Sequence, residues 1–183
     1  MMKKNLPKEE YAIVLDYLPH GDPIKGLREP CIYALGKSYF TLLLLIPKPG
    51  VNVEIMEEVY IGKGERPKIR TILKRIRYED LSIIAKDNLP KAIEKIIKDQ
   101  EKRFVDFFNK AGPLNIKVHT LELLPGIGKI TLNKILEERE KSEFKDFDDI
   151  KNRVKGIGDP IEILRDRILR EIKGEERIKL FVL

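Results

Sequence analysis

The sequence predicts an α+β protein in four pieces: a small N-terminal β-barrel over residues 1–78, a helical connector over 79–113, an all-α domain over 114–176 and a strand or tail over 177–183. Three observations carry this. Short apolar runs separated by Gly and Pro fill the first piece. From Glu79 the apolar residues recur with helical spacing. Then Leu124-Pro125-Gly126-Ile127-Gly128 returns thirty residues later as Val154-Lys155-Gly156-Ile157-Gly158.

Residues 11–17, 31–35 and 39–46 read as strands, with Pro19-His20-Gly21-Asp22-Pro23 as a turn and Pro47-Lys48-Pro49-Gly50 as a stop. A further strand over 53–61 leads through Gly62-Lys63-Gly64 into 69–78, read as its hairpin partner. Ile69, Ile72, Leu73 and Ile76 also match helical spacing, so periodicity leaves strand and helix open there. Four or five strands in about 70 residues suit a small barrel of the oligonucleotide-binding (OB) type.

The connector reads as a short helix over 80–86 and a longer one over 90–110. Ala92, Ile93, Ile96, Ile97, Phe104, Phe107 and Phe108 form the apolar stripe of the longer one. Gly112-Pro113 ends it, and 115–120 is an extended link. Residues 177–183 alternate like a strand, suited to a sheet edge or to tethering a protein partner.

The chain has 183 residues, 42% of them hydrophobic and 36% charged, enough for one or two domains with proper cores. Its longest apolar run, 42–46, is strand-sized and excludes a membrane helix. The first seven residues carry no secretion signal, and Cys31 is the single cysteine, so the expected compartment is the cytoplasm. Abundant Lys, Glu and Ile with one glutamine, Gln100, suit a thermophile.

The net charge of +6 is unevenly placed. Residues 114–183 hold 15 basic and 14 acidic side chains and are nearly neutral. Residues 63–77 hold Lys63, Arg66, Lys68, Arg70, Lys74, Arg75 and Arg77 against Glu65 alone, which accounts for the whole excess. Such a stripe is the footprint of a phosphate-tracking surface, or otherwise a solvated face. Tyr60 and Tyr78 flank it and are candidates for stacking on bases.

The repeated Gly-Ile-Gly carries the sharper signal. Two glycines around one apolar residue permit a tight bend with no Cβ between main chain and ligand. A helix starting just after the bend points unpaired N–H groups and its positive dipole end outward, which suits a phosphodiester. Over residues 120–173 the sequence resembles the tandem helix-hairpin-helix family of nucleic-acid-binding modules. Leu121 and Leu124 fall on the first helix, with Ile130, Ile135 and Leu136 on the buried face of the second. Phe144 and Phe147 pack the linker, Asp148 and Asp149 open the next helix, and Asp159 and Pro160 begin the last, whose stripe is Ile161, Leu164 and Ile168.

The copies differ. Lys129 follows the first bend and adds attraction for phosphate, whereas Asp159 stands at the matching position of the second and repels it. The first bend, Gly126, Ile127, Gly128 and Lys129, is therefore the expected principal contact. The second, Lys155, Gly156 and Gly158, is expected to be weaker. Leu132 stands where the family has a small residue. The resemblance also implies K⁺ or Na⁺ on hairpin carbonyls.

Val59-Tyr60-Ile61-Gly62-Lys63-Gly64, residues 103–109 and residues 119–129 together resemble an archaeal family of predicted nucleic-acid-binding proteins with no established reaction. That resemblance spans most of the chain and implies an OB-like domain coupled to the hairpins, with RNA favoured over DNA.

No catalytic constellation is present. Nothing after Gly128 matches the catalytic Asp stretch of helix-hairpin-helix glycosylases; Glu137, Glu138 and Glu140 read as a solvated helix face. Glu57-Glu58 and Asp148-Asp149 are adjacent pairs that do not converge on one ion. His20 and His119 lack companions at metal-ligand spacing, and Gly62-Lys63-Gly64 lacks the Walker hydroxyl. The expectation is a non-enzymatic, largely sequence-nonspecific nucleic-acid-binding protein. A protein-interaction scaffold is the alternative and a nucleic-acid hydrolase the third.

Overall fold

The computed structural model describes residues 8–183; the N-terminal leader expectation, on residues 1–7, lies outside them. Five strands form one antiparallel sheet: β1 (Tyr11–Leu18), β2 (Cys31–Gly36), β3 (Leu42–Pro47), β4 (Glu58–Tyr60) and β5 (Ile69–Arg75), in the order β4-β1-β2-β3-β5. Strands β2 and β3 are buried at every position, which explains their continuous apolar runs in place of alternation. Ala12, Val14, Ile32, Ala34, Leu43, Leu45, Val59 and Ile69 share one core cluster.

Residues 69–75 are a strand and not a helix, and their partner is β3. The hairpin expected between 53–61 and 69–78 does not form. Strand β4 is reduced to three residues and pairs with β1, through Ala12 opposite Val59. The reason is the second edge of β3: a buried apolar strand paired on one side only would leave its amides and carbonyls unsatisfied, and β5 supplies them. Strands β4 and β5 end the order, and the curled half-barrel they close off fits the OB-like barrel expected. Exposed Arg70, Lys74 and Arg75 on the β5 edge discourage pairing with another chain.

Two buried carboxylates organise the strand unit. Glu9 accepts the Ser38 and Tyr39 amides, both at 2.7 Å, and the Thr41 hydroxyl at 3.2 Å, holding the β2–β3 turn where Phe40 has φ +53°. Its side chain occupies the space a Cβ on Gly36 would need, 2.2 Å away. Glu171, fully buried, accepts the amides of Leu180, Phe181 and Val182 at 2.8, 3.0 and 3.1 Å. Residues 177–183 therefore form no strand, against expectation: these three amides are bound to a side chain and unavailable for a ladder.

The helices are α1 (Ile83–Asp99), α2 (Glu101–Lys110), α3 (Lys129–Lys141), α4 (Phe147–Arg153) and α5 (Pro160–Ile172). Helix α1 runs through Pro90, where a break was expected, and the interruption falls at Gln100 instead. An interior Pro costs roughly 3 kcal/mol. Full burial of Leu89, Ala92, Ile93, Ile96 and Ile97 offsets it, at about 1.5–3 kcal/mol per large apolar side chain. The chain divides into two compact units, one through Ala92 together with Glu171–Leu183, the other Ile93–Arg170. In the first, the bulge between Val14 and Asp16 turns the Asp16 carboxylate to the Ser82 hydroxyl at 2.6 Å. No helix among the described residues is long and apolar enough to cross a membrane.

Candidate nucleic-acid interface

The first bend rests on a capped single turn. His119 Nδ1 accepts the Leu121 amide at 3.1 Å, while Glu122 accepts the His119 amide at 2.8 Å. The result is a 3₁₀ turn, Thr120–Leu123, and not the expected helix. Leu124 leaves it in extended conformation (φ −76°, ψ 136°), as a residue before Pro tends to. Burial pushes the His119 pKa below its ordinary 6.5, with Arg139 adding to the effect and Glu122 opposing it, so the imidazole is neutral and Nδ1 is free to accept.

Gly126 takes φ +79°, where L side chains are strained, and closes the bend. The Ile127 amide, expected to face a ligand, donates instead to the Leu124 carbonyl at 3.2 Å, and its side chain is 5% exposed. It plugs the bend. The glycines on either side are exposed, and the amides of Gly126, Gly128, Lys129 and Ile130 have no acceptor among the described residues. Gly128 is the N-cap of α3 with no side chain to cover its mouth; the first helical bond is Leu132 N–H to Gly128 O at 2.9 Å. Ile130, expected on the buried face, is 76% exposed, while Leu132 and Ile135 are buried.

Lys129 lies beside these donors but is not unpaired. Its ammonium contacts Glu122 Oε1 at 2.6 Å and donates to the Lys117 carbonyl at 3.0 Å. Lys129 and the His119 amide hold the Glu122 carboxyl below the ordinary range. For the monovalent cation implied by resemblance, the oxygens fit in kind: the Leu121 and Leu124 carbonyls each accept one amide and keep a second lone pair.

The second bend repeats the geometry with a different mouth. Gly156 has φ +88° and Ile157 donates to the Val154 carbonyl at 3.2 Å. Here Asp159 Oδ1 accepts the Ile161 amide at 2.9 Å, and Pro160 contributes no donor. Lys155, Gly156 and Gly158 are exposed. A cation the sequence did not single out serves this bend: Lys134 on α3 donates to the Lys155 carbonyl at 3.0 Å. Its 21-residue separation from Lys155 leaves no mark in local patterning.

Arg153, also missed, ties the end of α3 and the linker to α4. It pairs with Asp149 at 3.1 Å and Glu138 at 3.4 Å, donates to the Ser142 carbonyl at 2.9 Å, and lies 4.7 Å over the Phe144 ring. Phe144 in the linker and Phe147 at the start of α4 are buried as expected. Asp148 and Asp149 open α4, but the capping oxygen belongs to Asp146, which accepts the Asp149 amide at 2.7 Å.

The basic stripe is divided. Lys68 pairs with Glu57 at 3.0 Å and Arg70 with Glu29 at 2.8 Å; Arg66 donates to the Gly62 carbonyl at 2.9 Å and Arg75 to Leu183 O at 2.7 Å. The side chains of Lys63 and Lys74 have no hydrogen-bond or carboxylate partner among the described residues, and no carboxylate pairs with Arg77. Lys74 and Arg75 are consecutive on β5 and so point to opposite faces. Tyr60 is engaged by the Tyr11 ring at 5.4 Å and by the Gly64 amide at 3.0 Å.

No group of three or more His, Cys, Asp or Glu among the described residues is placed to hold a metal ion. Burial, with Asp22 and Asp16 adding, pushes the Cys31 thiol up to about 11, so it is protonated at neutral pH.

Comparison with known proteins bears on the whole chain. It is 44% identical over 182 residues to Uncharacterized protein MJ0038 of Methanocaldococcus jannaschii, covering 98% of this chain and 82% of that one. The crystal structure of Af1531 from Archaeoglobus fulgidus superposes with a TM-score of 0.89 at 46% identity, over 96% of this chain and 100% of the other. A family model described as "Protein of unknown function (DUF655)" matches residues 8–183, and the chain belongs to that archaeal family.

Proposed function

We propose that the chain is a non-enzymatic, largely sequence-nonspecific nucleic-acid-binding protein whose first bend grips a backbone phosphate. The observation that carries this is the exposed, acceptor-free set of amides at Gly126, Gly128, Lys129 and Ile130, set at an α3 mouth that no side chain covers. Partial positive charge at a helix N-terminus and unpaired N–H groups together favour an anion. Two bends of matching φ and hydrogen bonding support the tandem helix-hairpin-helix reading, and the open five-stranded sheet supports an OB-like half-barrel. Lys63 and Lys74 add cations with no carboxylate partner, and RNA is the polymer the family resemblance favours.

The second bend contributes less, because Asp159 supplies an anion of its own. Contacts of this kind read phosphates and not base edges, so affinity falls with salt and varies little with base order.

The test is a gel-shift series with structured RNA, duplex DNA and single strands across salt, on the wild type and Lys129→Glu. Affinity should drop about tenfold in the variant and show a negative log–log salt slope. Absence of binding to all three polymers, or equal affinity in the variant, rejects the assignment.

A further inference from the structure

Several cations of the protein meet carboxylates: Lys68 with Glu57, Lys129 with Glu122, Arg165 with Glu94 at 2.5 Å. One cleft departs from that pattern. It measures about 350 Å³ and lies in the strand unit, between the end of β5, the 3₁₀ turn Tyr78–Asp80 and the segment after α5. Arg75, Arg77, Lys173 and Lys179 line it, against the single carboxylate side chain of Glu79.

The two lysines are held without being neutralised. Arg75 donates to Leu183 O at 2.7 Å and Lys179 to the Glu171 carbonyl at 2.8 Å. Lys173 lies 5.2 Å over the Tyr78 ring, which Lys86 also approaches at 5.2 Å. No carboxylate pairs with the Arg77 guanidinium among the described residues, and Glu79 forms no ion pair with any of the four. A backbone carbonyl and a ring fix Lys179 and Lys173 while leaving their charge available, and gathering these with Arg77 in one cleft is unfavourable until an anion enters. The floor is apolar, with Phe40 and Val182 buried and Ile76 and Ile172 half-buried.

We infer that this cleft binds a phosphate monoester of nucleotide size, either a free nucleoside monophosphate or the phosphorylated end of a polynucleotide. Arg77 forks onto the phosphate, Lys173 and Lys179 balance its second charge, and the apolar floor receives the nucleoside. The site stands independently of the bend at Gly128.

The experiment is calorimetric titration of the full chain with 5′-AMP, adenosine and inorganic phosphate. 5′-AMP should bind, with adenosine weaker by about tenfold or more. Arg77→Ala and Lys173→Ala should each weaken 5′-AMP about tenfold, while Glu79→Gln, which removes the opposing charge, should tighten it two- to threefold, a gain that a misfolded variant cannot give. Gly128→Asp should leave 5′-AMP affinity unchanged, which separates failure here from failure of the hairpin reading. Competition then identifies the source: a 5′-phosphorylated oligonucleotide that displaces 5′-AMP where its 5′-hydroxyl counterpart does not marks a polynucleotide end, and no displacement by either marks a free nucleotide. Failure of 5′-AMP to bind at millimolar concentration, or equal binding by the Arg77→Ala/Lys173→Ala double variant, overturns the inference.

Discussion

Asp159 Oδ1 accepts the Ile161 amide at 2.9 Å, so the mouth of α5 carries its own carboxylate, where the mouth of α3 at Gly128 has none. Gly128→Asp transplants that arrangement. Gly128 has φ −94° and a Cβ there meets nothing within 4 Å, so the substitution is unstrained. An Asp N-cap should raise stability by a few tenths of a kcal/mol. Polyanion binding should fall about tenfold because the acceptor-free amides gain an internal acceptor. Thermal melts beside gel shifts check this, and a fall in both would mean that the bend itself had been damaged.

On the proposed reading, Glu122 competes with a polyanion for Lys129. Glu122→Gln keeps an oxygen for the His119 amide and removes the charge, so phosphate affinity should rise about two- to threefold, with a steeper salt dependence. Binding isotherms at two salt concentrations would show it.

Arg153 should behave as a structural cation. Replacing it by Ala removes contacts to Asp149, Glu138 and the Ser142 carbonyl and bares Phe144. A loss of about 2 kcal/mol is expected in denaturant unfolding, and Arg153→Lys should restore less than half, since an ammonium cannot span that fork.

His119 supplies a pH dependence with a definite sign. Its folded pKa is lowered, so the stability it contributes is complete above the unfolded value of 6.5 and is lost as pH falls through the folded one. Protonation also removes the acceptor used by Leu121. Wild type should lose stability below about pH 6.5 more steeply than His119→Asn, which keeps a cap that does not titrate. Melting temperatures between pH 7 and 5 distinguish the two.

Glu171→Gln should cost about 1–2 kcal/mol, because a neutral amide oxygen is a weaker acceptor for three donors. Hydrogen exchange at Leu180, Phe181 and Val182 should accelerate well beyond that of β2.

Much of this fold was legible in the sequence. Strands β1, β2 and β3 emerge from apolar runs bounded by Gly and Pro, and both bends from Gly-x-Gly, because each depends on neighbours a few residues away. The pairing of β5 with β3 and the loop at 177–183 were not legible. One depends on which edge needs partners and the other on a carboxylate nine to eleven residues distant. At the candidate site the glycines and Lys129 were visible in the motif, whereas Lys134 and Arg153 act across 21 and 15 residues and look like ordinary surface cations. Ile127 showed as part of the motif, but its amide is taken by the bend it closes.

The Glu9 carboxylate lies 29 to 32 residues from the amides it receives at the β2–β3 turn. That hairpin is local and can zip early, yet its tip keeps orphan donors until Glu9, just ahead of β1, arrives to quench them. Docking of the segment that leads into β1 is thereby coupled to completion of a turn made later in synthesis. Glu9→Ala should accordingly slow the final consolidation of the sheet more than its nucleation.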